Sequence, residues 1–424
     1  MESANKPYTA EIIAVGTELL LGRTVNTNAS DVSLALSKLG INVYYHTVVG
    51  DNAERLTAAV EIAKNRADII ITTGGLGPTY DDLTKQTLAG AFGKKLIFNE
   101  EIAENLREFF KKRLNNSKMT ENNLRQAEFP EGSLILPNTV GTAPGCAFEA
   151  EGKFVLMMPG PPRECRAMLE TAVVPYLKKL QSAEIHSHNI HIFGVGESTA
   201  ETMLGDKMQN MQNPSLAPYA KDGEVVLCVT AKADTKNDAD VMMAPVIDSV
   251  REIFGDYIYG IDTGSLEKTV IDLLTKNGKT IACGESVTGG LLSKKITDVP
   301  GASKVYLGCV IPYCIKSKTH ILGVDPKIIE EKPVVSREVA IALADGAREK
   351  FNADIGIGLT GIAGPDGDGS SVSTGVVFVA LTTSEKSYCR HINLVFDRRR
   401  VRNSAALHAL DMMRRYLTGC AVET

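Results

Sequence analysis

Short apolar runs that end in glycine-rich loops, each followed by a helical stripe, constrain the fold of this chain more than any other feature. Glu11–Val15 (EIIAV) and Asp68–Thr73 (DIIITT) read as buried strands, and the second runs directly into Gly74-Gly75-Leu76-Gly77-Pro78. Between them Val32, Ala35, Leu36 and Leu39 recur at i, i+3, i+4 and i+7, marking one helix face, and Gly40 ends that helix. Ile41–Val49 is another strand, and Asp51 with Glu54 forms a capping box for a helix carrying Leu56, Ala59, Val60 and Ala63. Strands and helices in such alternation predict an α/β fold with a parallel, doubly wound sheet covered on both faces. Its ligand crevice should open at the carboxyl ends of the strands.

That pattern does not stay uniform over 424 residues, a length too great for one hydrophobic core. Ile102, Leu106, Phe109 and Phe110 continue the first unit as one helical stripe, and it closes near Met157–Glu164 and the helix that follows. Beyond it, Asn189–Phe193 and Glu224–Ala231 read as strands and Ala239–Ile253 as a helix, a small α+β module. A third unit begins near Gly264, with Leu266, Val270, Leu273 and Leu274 on one helix face. Its strands are expected at Thr280–Cys283, Val305–Ile311, Ile355–Leu359 and Val376–Leu381. The expected domains are residues 1–174, 175–262 and 263–424.

Charge and cysteine usage remove whole classes of function. A net charge of −5 without a long Lys/Arg block argues against a protein that holds nucleic acid through its phosphates. No apolar run approaches the roughly 18 residues of a membrane span, and residues 1–10 (MESANKPYTA) lack the apolar segment of a secretory leader. The eight cysteines include no Cys-x-x-Cys pair, so they read as reduced, small buried groups of a cytoplasmic protein rather than as zinc ligands.

Two loops at strand ends carry the chemistry of the first unit, Gly16-Thr17-Glu18 and Gly74–Asp82 (GGLGPTYDD). Gly74, Gly75 and Gly77 would let a phosphate approach the backbone closely. Asp81 and Asp82 offer oxygen ligands to a divalent metal ion that could bridge and polarise a pyrophosphate, and Glu18 could join them as ligand or general base. The same residues admit a plainer account: Thr79-x-x-Asp82 is itself a capping box, and acids in a first turn complement the helix dipole. Spacing alone does not separate the two.

In the third unit Gly284–Gly290 (GESVTGG) joins a strand to a helix. Ser286 is the candidate nucleophile, with the amides around Thr288, Gly289 and Gly290 available to stabilise an oxyanion. No histidine stands in a motif that would supply a base. Tyr313 and Lys318 offer another route, because a desolvated lysine with a lowered pKa, acting directly or through a tyrosine, can take the hydroxyl proton. Equally, Ser286 could cap a helix or bind a phosphate while Lys318 is a solvated surface charge.

The segments EIIAVGTELLLGRTVNTN, ITTGGLGPTYDDLTK and PGPPRE resemble the amino-terminal domain of the CinA (competence/damage-inducible) family, which is similar in fold to molybdopterin-binding proteins. The resemblance implies a metal-assisted ADP-ribose pyrophosphatase that yields AMP and ribose 5-phosphate, with Asp82 as the acid following the Gly-Gly loop. Pro159, Gly160, Pro162 and Glu164 match a second signature whose role the sequence does not reveal. Residues 264–418 resemble the family's carboxyl-terminal domain, which also occurs alone as a nicotinamide mononucleotide amidase. Asp298–Ser303 (DVPGAS), Leu322–Val324 and Thr360–Gly367 (TGIAGPDG) carry that match together with Glu285–Gly290. By this resemblance the catalytic Ser, Tyr and Lys are Ser286, Tyr313 and Lys318, and the reaction releases ammonia and leaves nicotinic acid mononucleotide. Thr360, Gly361 and Gly364 would line the pocket, and Arg398 or Arg402 would hold the substrate phosphate. No cofactor is implied for the amidase.

Departures from the family pattern keep a second reading open. Val287 stands where the family has Cys, Tyr313-Cys314-Ile315 replaces Tyr-Ser-Asn, and Cys309 and Pro312 also differ. Losing the Asn at Ile315 removes hydrogen bonds that could orient substrate or lysine; with Ser286, Tyr313 and Lys318 all present activity is still expected, with impaired or shifted specificity left open. The alternative is a non-catalytic nucleotide- or pterin-binding protein with a degenerate amidase domain. Phe193–Ser198 (FGVGES) resembles the family's KH-like middle domain, but Gly194-Val195-Gly196-Glu197 lacks the Gly-x-x-Gly spacing and carries an acid. A spacer or dimerisation element, and a homodimer, are therefore expected. His186, His188 and His191 do not share one strand face and read as surface or linker residues rather than metal ligands.

Overall fold

The computed structural model describes residues 8–113, 120–180, 184–205, 211, 213–221, 223–367 and 369–423; the first seven residues of the stretch read for a leader lie outside them. The chain divides into two compact units, Met1–His186 with Ala231–Asp240 and Ser187–Thr230 with Val241–Thr424.

The first unit is built on strands β1 (Thr9–Val15), β2 (Asn42–Val49), β3 (Ile69–Thr73), β4 (Leu96–Phe98), β5 (Glu128–Pro130), β6 (Leu134–Leu136), β7 (Gly145–Ala150) and β8 (Lys153–Met158). Six of them form one sheet in the order β2-β1-β3-β8-β7-β6, and β4 and β5 form a separate antiparallel ribbon. Alternate residues of β1 and β3 face opposite sides. Ile12, Ile69 and Ile71 pack with Val32 and Leu36 of helix Thr27–Lys38, while Ile13 and Ile70 pack with Leu56 and Val60 of helix Ala53–Arg66. That two-sided burial is why these strands read as continuous apolar runs.

Two details differ from the sequence expectation. The sheet is parallel only across β2, β1, β3 and β8; β7 and β6 run antiparallel. The two-residue turn Glu151-Gly152, at φ 53 and 71, joins β7 to β8, and a connection that short permits only a hairpin. The helix cap is also displaced by one residue. Asn52, not Asp51, accepts from the Arg55 amide at 3.0 Å, and Asp51 instead accepts from the Thr17 amide and hydroxyl, each at 2.8 Å.

Mostly within the second unit, β9 (Glu184–Phe193), β10 (Ser215–Lys221), β11 (Glu224–Ala233) and β12 (Ile258–Ile261) form a sheet in the order β10-β11-β9-β12. Strands β13 (Ile281–Glu285), β14 (Tyr306–Val310), β15 (Ile355–Gly361), β16 (Val376–Thr382) and β17 (Ser387–Asn393) form another, ordered β14-β13-β15-β16-β17. Here β13 is parallel to β14 and β15, and β16 and β17 complete the sheet antiparallel. Helices Leu266–Asn277 and Arg398–Thr418 cover one face, and Phe193 and Tyr259 of the smaller sheet join that same core. On the other face, Ala340 and Ala344 of helix Arg337–Phe351 press so close that a methyl at Gly356 or Gly358 would sit 2.1 Å from a helix carbonyl oxygen. His188 pairs with Asp262 and His191 lies against Tyr259, so the histidines diverge. Among the described residues no helix is long and apolar enough to cross a membrane.

Candidate active sites

The front loop leaves β3 under tight steric control. A Cβ on Gly74 would meet the Val15 carbonyl oxygen at 2.2 Å, and one on Gly75 would meet Thr84 Oγ1 at 2.2 Å. Thr84 Oγ1 donates to the Gly74 carbonyl at 2.8 Å, closing the loop. The second signature buttresses it: the Gly74 amide donates to Met158 O at 2.9 Å, and Gly160 packs on Gly74 with its carbonyl held by Asn28 at 2.7 Å. Glu164 accepts from Asn138 at 2.7 Å.

Asp81 and Asp82 come together on one residue. The Thr79 amide donates to Asp82 at 2.8 Å, and the Thr79 hydroxyl contacts both carboxylates. The capping-box account fails in this form, because the helix begins only at Thr84 and has no side-chain cap. Glu18 does not join the pair. It is exposed in the four-residue helix Thr17–Leu20, where its carboxylate folds over Gly16 and Asp51 pins the preceding Thr17. Among the described residues, no group of three or more His, Cys, Asp or Glu side chains is placed to hold a metal ion.

A small pocket opens between Gly75, Gly77, Asp82, Lys85, Arg125 and Glu128. Sequence reasoning missed Lys85 and Arg125. The signal was present: Lys85 precedes Leu88 and Ala89 by three and four residues, so a charge stands on a buried helix stripe. Burial pushes the Lys85 ammonium down to about 8.

The rear site assembles at the carboxyl end of β13. Glu285 is fully buried, and its carboxylate accepts from the amides of Gly290 (3.0 Å), Leu292 (3.1 Å) and Ser293 (2.7 Å). This carboxylate caps helix Leu291–Thr297 from outside and holds the loop in which Gly290 adopts φ 91. Sequence reasoning overlooked that role, although an acid ending an otherwise apolar strand was its visible sign. The Gly290 amide is thereby committed, leaving those of Val287, Thr288 and Gly289 without a partner among the described residues.

Lys318 is 2% exposed on helix Ile315–Leu322. Its Nζ donates to Ser286 Oγ at 3.0 Å and to Pro312 O at 2.7 Å, so lysine meets serine directly and no tyrosine lies between them. Desolvation lowers the Lys318 pKa from its ordinary value. Tyr313, 64% exposed, lines the same cleft, and its hydroxyl accepts from Arg398 at 3.2 Å. Arg398 also donates to Gly364 O at 2.8 Å, and Thr360 Oγ1 donates to Val334 O at 3.0 Å. The cleft encloses about 240 Å³ and is lined also by Gly361. Arg402 does not line it; its guanidinium donates to Thr288 O at 2.6 Å and clamps the serine loop instead. Ile315 is 52% exposed, outside the lining, and not among the groups bonded to the Lys318 amine.

The chain is similar to known proteins along nearly its whole length. The chain matches the families described as "Probable molybdopterin binding domain" over residues 11–179, "Damage-inducible protein CinA KH domain" over 187–260 and "CinA C-terminal domain" over 263–417. A CinA-like protein of Kosmotoga olearia is 46% identical over 408 residues, covering 96% of this chain and 98% of that protein. A CinA-like protein of Dictyoglomus thermophilum is 46% identical over 407 residues, with the same two shares. A crystal structure of the protein CinA from Thermoplasma acidophilum is 34% identical and covers 40% of this chain and 98% of its own, with a TM-score of 0.37. With a molybdopterin-binding-like domain, a KH domain and a CinA C-terminal domain in succession, and such identity over nearly the whole length, this chain belongs to the CinA family.

Proposed function

We propose that the protein is a two-site hydrolase of pyridine-nucleotide metabolism, with a nicotinamide mononucleotide amidase at the rear and an ADP-ribose pyrophosphatase at the front. The observation that carries the reading is the buried Lys318 amine, 3.0 Å from the Ser286 hydroxyl in an open cleft. An uncharged Lys318 takes the Ser286 proton as the hydroxyl attacks the carboxamide carbon. The tetrahedral oxyanion is stabilised by the loop amides before Gly290. Collapse expels ammonia, which receives the proton from Lys318, and leaves an acyl-serine. Water, activated by the same amine, then releases nicotinic acid mononucleotide and restores Ser286. Arg398 is the residue suited to the substrate phosphate, since it lines the cleft, whereas Arg402 serves the loop. The binding-protein alternative rested on Ile315, which takes no part in holding Lys318 or lining the cleft.

At the front, Asp81 and Asp82 converge on one hydroxyl, which suits a hard cation carried in with substrate phosphates rather than an all-protein cage. Such an ion, when bound, polarises the diphosphate for attack by water. Gly75 and Gly77 line the pocket, and neither has room for a side chain.

One experiment tests both sites: ammonia release from nicotinamide mononucleotide and AMP formation from ADP-ribose by the purified protein, with and without chelator. Ser286→Ala should lose ammonia release by about 10³-fold or more, and Asp82→Ala should lose AMP formation. Chelator should abolish only the second activity. Undiminished ammonia release from Ser286→Ala would refute the serine mechanism, and a wild type inert on both substrates would favour the binding protein.

A further inference from the structure

We infer that Lys85, with Arg125 beside it, is the cationic grip on the substrate diphosphate in the front pocket, an inference that rests on the pyrophosphatase reading above. Lys85 is 7% exposed, donates from Nζ to Gln126 O at 2.7 Å and lies over the Phe129 ring at 4.3 Å. No carboxylate comes within ion-pair distance of it among the described residues. A charge held in a core without a counter-ion opposes folding, and an apolar side chain of similar length would pack there at less cost. Lys85 nevertheless lines the pocket together with Gly75, Gly77, Asp82, Arg125 and Glu128.

The shape and charge of that pocket specify the missing counter-ion. Gly77 has no room for a Cβ, which would lie 2.5 Å from Asp82 Oδ2, so its backbone packs directly against that carboxylate at the pocket. Arg125 uses one nitrogen on Thr79 O at 2.9 Å and has no ion pair among the described residues. Asp82 and Glu128 line the same opening without reaching ion-pair distance of Lys85 or Arg125, so a bare anion would meet two carboxylates there as well as two cations. A diphosphate accompanied by a divalent ion suits it better: the ion meets the aspartates while phosphate oxygens meet Lys85 and Arg125.

The test uses the full chain with ADP-ribose and Mg²⁺, reading kcat and KM separately, and records the melting temperature of each variant. Lys85→Met should lower kcat/KM for AMP formation at least 100-fold with KM carrying a large share, should melt no lower than wild type, and should leave ammonia release unchanged. Lys85→Arg should recover part of the loss. A Lys85→Met protein that keeps wild-type kcat/KM overturns the inference alone, as does one whose only change is a lower melting temperature. Should Lys85→Met not fold, Arg125→Gln carries the test, and an unchanged KM for ADP-ribose overturns the inference. A wild type with no AMP formation sinks the pyrophosphatase reading itself.

Discussion

Lys318 lies against Ser286 and Pro312 with no carboxylate in ion-pair distance among the described residues, so burial favours the neutral amine. The sign of the pH dependence follows, because catalysis needs that neutral form. Ammonia release should rise with pH and level off above the lowered pKa of Lys318, and fall as pH drops through it. A kcat/KM profile for nicotinamide mononucleotide checks this; a rate that falls with rising alkalinity across the same range would contradict a lysine base. Lys318→Arg should be inactive throughout, since a guanidinium stays charged. Ser286 and Lys318 were legible as residue types in suggestive loops, and Asp81 and Asp82 likewise. Glu285 and Lys85 left only a faint sign, a charge at the end of an apolar strand and one on an apolar helix stripe, and Arg125 left none, because residue identity does not say which pocket a charged side chain will line.

Helix Arg398–Thr418 shows how an element serves a site. Arg398 and Arg402, four residues apart, share a face; the first reaches Tyr313 and Gly364 and the second reaches Thr288. Asp397 fixes where this helix starts by accepting from the Arg400 amide at 3.0 Å. Asp397→Ala should therefore cost about 1 kcal/mol of stability and raise KM for nicotinamide mononucleotide more than it lowers kcat. Thermal melting and steady-state kinetics measure the two effects, and an unchanged KM would mean that Arg398 does not depend on the cap. The helix was legible neither in extent nor in face, since Arg398, Arg399, Arg400 and Arg402 obscure its apolar stripe.

At the scale of the second unit, one buried aspartate holds distant parts of the chain. Asp411 pairs with Arg390 at 2.9 Å, Arg414 at 2.6 Å and Arg415 at 3.0 Å. Arg414 continues to Asp256 O at 2.9 Å, Arg390 to Val422 O at 2.9 Å and Arg415 to Ala421 O at 3.2 Å. The smaller sheet and the five-stranded sheet are thus joined by a shared core and by these bonds. Asp411→Asn would leave three buried guanidinium groups short of their counter-charge, a loss of about 3–5 kcal/mol. Calorimetry should show both parts of the unit melting together and at a lower temperature in the variant. Independent melting of residues 187–260 would argue against the shared core.

Local pattern by itself determined the strands that lead into the loops at Gly74 and Ser286, the helices that follow them, and the placement of Asp82 and Ser286 in those loops, because periodicity and loop chemistry act over a few residues. Only the tertiary structure decided that Lys318 meets Ser286 across 32 positions, that Arg402 clamps a loop, that Glu18 stays apart from Asp82, and that β7 and β8 form a hairpin. Those outcomes depend on how elements pack and which side chains lose water together, and the apolar period of a single segment carries no information about its distant partners.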